Sequence, residues 1–129
     1  MDPQKNILVC VTQQKTCERL IHKAVSIKEE FKVTGDLYVI HVAKNGLNFL
    51  DNPKEGEALQ YLFEISKSVG ANLFVLKSDN IIKCIADFVQ ENNIGCVVIG
   101  KSPESEAENE FNKRLRSALK DNVDIKVIP

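Results

Sequence analysis

A chain of 129 residues, 43% hydrophobic and 27% charged, has the composition of one ordinary globular domain, and we read residues 1–129 as such. At this length about two-thirds of the unfolded surface can be buried, enough for one core. With 17 Lys and Arg against 18 Asp and Glu, the net charge of −1 leaves no global field to hold nucleic acid or an anionic membrane. No apolar run approaches the roughly 18–20 residues of a bilayer span. The polar start, Met-Asp-Pro-Gln-Lys-Asn, is not a signal peptide, so a complete chain of this kind is expected to be cytoplasmic and not inserted in a membrane. Cys10, Cys17, Cys84 and Cys96 form no C-x-x-C pair, which argues against a zinc ribbon or redox dithiol and for reduced, buried thiols.

Strands and helices alternate along the chain. Residues 6–11, NILVCV, form a nearly continuous apolar run, the pattern of a strand covered on both faces. Over 16–31, Cys17, Leu20, Ile21, Ala24, Ile27 and Phe31 recur at helical spacing. Gly35 precedes a second strand at 36–42, and 43–52 is a loop. Asn52-Pro53-Lys54-Glu55 reads as an N-cap, a first-turn proline and an acid opening a helix. That helix turns Leu59, Leu62, Phe63, Ser66 and Val69 inward, and Gly70 ends it. A third strand at 72–76 leads to Ser78-Asp79, read as the cap of a helix with Ile81, Ile82, Ile85, Phe88 and Val89 inward. The fourth strand is 96–99, the fourth helix 110–119 with Phe111, Leu115 and Leu119, and the fifth strand 124–128.

This β-α-β-α-β-α-β-α-β pattern predicts a single doubly wound α/β domain with a parallel five-stranded sheet. The last strand alternates, Val123, Ile125 and Val127 against Asp124 and Lys126, which marks it as a sheet edge. Such an edge is a pairing surface for a second copy, with Ile125 and Val127 as its apolar residues.

In a sheet of order 3-2-1-4-5, ligands bind beyond the carboxyl ends of strands 1 and 4. The loops 12–15 and 100–109 meet there, bringing Thr12, Gln13, Gln14, Lys15, Gly100, Lys101, Ser102 and Ser105. Strands 2 and 3 add His41, Val42, Ser78 and Asp79. Gly95 to Ser102 matches G-x-x-x-x-G-K-[ST], yet a whole strand lies where a phosphate-binding turn is required. Glu104, Glu106, Glu108 and Glu110 repel a polyphosphate and suit a solvated helix N-terminus. Thr12 and Gln13 stand where a phosphate-accepting receiver domain needs magnesium-binding carboxylates. His41, inside a strand, reads as a satisfied, partly buried histidine, and His22 as solvent-facing. Cys17, in a first helical turn, is open to a lowered pKa, but its apolar-face position favours packing. No catalytic constellation and no metal site emerge.

Taken together, these segments resemble the universal stress protein family. NILVCV is similar to its first strand, LYVIHV to its second, and CVVIG to its fourth with the glycine that opens the nucleotide loop. VCVTQQKTCERLIHKA, GANLFVLKSDNIIKCIADFVQENNI, VVIGKS and NVDIKVI most resemble the universal-stress-like domain of the potassium-responsive sensor kinase KdpD. The resemblance implies the adenine-nucleotide α-hydrolase-like architecture with order 3-2-1-4-5, and a homodimer through the last strand. It also implies a non-catalytic regulatory or sensory role, with a sensor kinase or other protein as partner. Family members that bind ATP carry G-x2-G-x9-G-[ST] after strand 4. Here Gly100 is followed by Pro103 and by Lys113-Arg114 in the places of the other glycines. Relatives that bind cyclic di-AMP carry S-x-S after strand 1 and F-T-A-x-Y in strand 2, where this chain has Thr12-Gln13-Gln14 and Leu37–His41. No cofactor is therefore expected. ATP or cyclic di-AMP is the alternative, held by Thr12, Gln13, Val42, Gly100, Lys101 and Ser102.

Overall fold

A computed structural model of the chain describes residues 1–12, 14–100 and 106–129. Its regular elements, in order, are β1 (Asn6–Cys10), α1 (Gln14–Glu30), β2 (Leu37–Ala43), a 3-10 turn at Phe49–Asp51, α2 (Glu55–Ser68), β3 (Asn72–Lys77), α3 (Ile81–Glu91), β4 (Ile94–Gly100), α4 (Glu106–Ala118) and β5 (Asp124–Ile128). All four strand pairings are parallel and the order is β3-β2-β1-β4-β5, as expected for a doubly wound sheet.

The core has two halves, one on each face of the sheet. Under α1 and α2 lie Ile7, Val9, Leu37, Val39, Cys96 and Val98 with the inward residues of both helices. Under α3 and α4 lie Leu8, Cys10, Ile40, Val97 and Ile99 with Ile85, Phe88 and Leu115. Strands β1 and β4 are buried on both sides, which is why their sequences are unbroken apolar runs. Both outer strands are edges. In β3 the side chains of Phe74 and Leu76 stay exposed. In β5 every residue is half-buried, and Ile125 and Val127 pack against the second cluster.

Helix ends explain most departures from the sequence reading. Phe31 points to solvent, 43% exposed, because α1 stops at Glu30. Lys32, at φ 53°, turns the chain left-handed, and the Val33 amide donates to Lys28 O while that of Lys32 donates to Glu29 O, a Schellman closure. Gly70 ends α2 the same way at φ 73°, with the Ala71 amide bonded to Ser66 O. Phe63 also faces solvent, 49% exposed, since α2 buries Ala58, Leu62 and Ser66 instead. Asn52 does not cap α2. Its Oδ1 accepts from the Lys54 amide in a local turn, and Glu55 begins the helix. Ser78 likewise makes a turn with Asn80, while Asn80 Oδ1 caps α3 by accepting from the Lys83 amide. Helix α4 begins at Glu106, four residues earlier than its apolar spacing indicates.

At the amino end of the sheet, Asn6 uses both sides of its amide. Its Nδ2 donates to Asn92 O at 2.8 Å and its Oδ1 accepts from the Asp36 amide at 2.8 Å. Gly35 is required beside it, because a Cβ there would lie 2.2 Å from Lys5 O.

Candidate functional site

The carboxyl ends of β1, β2 and β4 meet at the switch point of the sheet. Val9 is level with Val39 and Val98. Two residues further along each strand, Val11, His41 and Gly100 therefore share a level, and Thr12 and Val42 lie one residue beyond. Thr12 is exposed. Val42 is half-buried against the α3/α4 cluster. Gly100 is half-buried, and a Cβ on it would meet Leu20 Cδ1 at 3.4 Å, so α1 runs close beneath the end of β4. Gln13, Lys101, Ser102 and Ser105 lie outside the described residues, and Gln14 and Lys15 belong to the first turn of α1. Gly95 sits inside β4, next to the register irregularity opposite Asn6 and Ile7. Residues 95–100 are strand throughout, which is incompatible with a phosphate-binding turn over that span.

His41 is buried, 4% exposed, and both ring nitrogens are engaged. Its Nδ1 lies 2.8 Å from Val11 O, and its Nε2 accepts from the Leu50 amide at 2.8 Å. An acceptor at Nε2 leaves the proton on Nδ1, so the ring is neutral and donates to Val11 O. Burial pulls the His41 pKa below its ordinary value, opposed by the bond to Val11. Leu50, the donor, has φ 55° and ψ 23°, a left-handed backbone that costs a leucine about 1–3 kcal/mol, and its side chain is 2% exposed. The Phe49 ring meets His41 edge-on at 5.8 Å, and Lys77 Nζ sits 4.7 Å from the Phe49 centroid. The sequence singles out His41 as a satisfied histidine; its partners escape a sequence reading, because no local signal marks a leucine for positive φ.

Of the four cysteines, Cys84 alone is partly exposed. Cys10, Cys17 and Cys96 are buried. Burial pushes Cys10 up to about 12 and Cys96 to about 11, and raises Cys17 as well, so the first turn of α1 does not activate that thiol. His22 is exposed, as its position beside the stripe of α1 indicates. Tyr61 donates to Glu18 Oε2 at 2.6 Å, tying α2 to α1, and this bond raises the phenol to about 12. Among the described residues no cluster of three or more His, Cys, Asp or Glu is placed to hold a metal ion. None of the described helices is long and apolar enough to cross a membrane. A groove of about 550 Å³ between the ends of α1 and α2 lies at the opposite, amino end of the strands, lined by Lys28, Lys32, Asp36, Val69 and others.

No protein-family model matches the chain. Its fold superposes on universal stress protein UspA from Lactobacillus plantarum with a TM-score of 0.75, 16% identity and full coverage of both chains. It superposes on the universal stress protein of Archaeoglobus fulgidus in complex with dAMP with a TM-score of 0.66 and 18% identity, covering 99% of this chain and 100% of the other. In sequence, 105 residues are 28% identical to sensor protein KdpD of Mycobacterium tuberculosis, which is 81% of this chain and 12% of that protein. The chain thus has the universal stress protein fold, and over most of its length it is similar to one segment of a much longer sensor protein.

Proposed function

We propose that the chain is a non-catalytic regulatory or sensory module that acts through contact with another protein. The observation that carries this reading is the 105-residue similarity to a segment of sensor protein KdpD. The chemistry at the described strand ends supports it. Thr12, Val42 and Gly100 supply one hydroxyl, one apolar side chain and bare backbone, and the nearby His41 has both nitrogens committed to backbone groups. In this reading two copies pair along the outer edge of β5, beside Ile125 and Val127, and a sensor kinase or other protein is the partner.

A second reading is favoured by the dAMP complex of the Archaeoglobus fulgidus universal stress protein. Here an adenine nucleotide, ATP or cyclic di-AMP, binds at Thr12, Gln13, Val42, Gly100, Lys101 and Ser102. One experiment separates the readings: thermal unfolding at several protein concentrations, with and without saturating Mg-ATP and cyclic di-AMP. A ligand at 100 times its Kd adds about 2.7 kcal/mol, a shift of roughly 5–15 °C for a domain this size. The first reading expects no shift with either nucleotide and a Tm that rises with protein concentration. A nucleotide shift transfers the site to the second reading, and a concentration-independent Tm removes the dimer.

A further inference from the structure

The ring of His41 joins three pieces of backbone. It stands on β2, grips Val11 O at the end of β1, and receives the Leu50 amide from the loop that follows β2. Only one neutral tautomer makes both bonds, since the ring must donate at one nitrogen and accept at the other. The loop it holds is divided. Residues 44–48 are exposed, with Leu47 at 59%, whereas Phe49 is half-buried and Leu50 fully buried. Leu50 is also the residue held left-handed, in a region where only glycine rests without strain. A strained residue persists where its surroundings over-determine it. The bond its amide donates to His41, the buried side chain, and the Phe49 ring between His41 and Lys77 are those surroundings.

We propose that His41 is a positioning residue that latches the loop 44–52 closed and couples that closure to the carbonyl of Val11, the residue before Thr12 at the mouth of the crevice. With the latch broken, Leu50 relaxes to a right-handed backbone and swings out. The latch is a property of the fold and stands whether or not the crevice takes a ligand.

The test uses the whole chain and solution NMR. The wild type is expected to show the Nδ1-protonated ring and a scalar coupling across the hydrogen bond between Leu50 N and His41 Nε2. Its Leu50 amide is expected to exchange slowly while residues 44–48 exchange fast. In His41→Phe, the Leu50 amide should exchange roughly tenfold faster or more, with Val9 and Val39 unchanged. Equal Leu50 protection in wild type and His41→Phe overturns the proposal. So does a ring protonated on Nε2, or the absence of the coupling; these two readouts need only the wild type and decide the matter if the variant does not fold.

Discussion

The two faces of the sheet rest on different chemistry. Under α1 and α2 the core admits both of the buried polar side chains among the described residues, His41 and Ser66. Under α3 and α4 the buried set is wholly apolar, and three rings from β2, β3 and α3 meet: Tyr38 with Phe74 at 6.0 Å, Tyr38 with Phe88 at 5.8 Å, and Phe74 with Phe88 at 4.9 Å. On the aromatic face only volume and contact can be lost. On the other, stability also depends on where one proton sits and on whether each polar atom has a partner.

The largest effect should come from the aromatic face. Phe88→Ala removes the ring shared by two of the three contacts, and the unfolding free energy should fall by about 3–5 kcal/mol, read by urea denaturation. A loss under 1 kcal/mol would show that the three rings do not pack as a unit. On the polar face an effect of opposite sign is expected. Ser66 Oγ is buried without a hydrogen-bond partner among the described residues, so Ser66→Ala should raise stability by about 1 kcal/mol. If the variant is less stable, the hydroxyl has a partner and the contrast between the faces is weaker than drawn.

The gentlest effect is reversible. The folded-state pKa of His41 is lowered, so the unfolded chain binds the proton more readily. The contribution of His41 to stability is complete above the unfolded pKa of about 6.5. It declines as pH falls below that value toward the lower folded pKa. The ring faces backbone groups of β1 and of the 44–52 loop, with Lys77 on the Phe49 ring that packs against it. Unfolding midpoints compared between pH 7.5 and 5.5 should fall more in the wild type than in His41→Phe. Parallel profiles would detach the titration from this ring.

The sequence makes the two central strands and the inward stripe of α3 plain, because burial on both faces of β1 and β4 leaves runs such as CVVI no room for a polar residue. Alternation and crossover handedness indicate a parallel, doubly wound sheet, while the order 3-2-1-4-5 is implied by the family resemblance and not by the pattern itself. What it conceals are features decided by one backbone angle. Lys32 and Leu50 take positive φ although neither residue type announces it, and this misplaced Phe31 and hid the partner of His41. Asn52 and Ser78 look like helix caps, and both instead make turns just upstream of the helices they precede. At the crevice, Thr12, Val42 and Gly100 are brought together as their strand ends require. The chemistry of Gln13, Lys101 and Ser102 rests on sequence alone.

Asn6 has a bearing on how the chain reaches this fold. Its amide nitrogen and oxygen are both paired only when β1 lies in one alignment against the segments that lead into β2 and β4. Sliding β1 by a single position would turn Leu8 to the opposite face and break both of these bonds. Most strands buried on both sides are apolar from end to end and tolerate several near-equal alignments during collapse. Here one asparagine at the entrance ties β1 to a single register, since any other alignment forgoes two bonds that the native one makes.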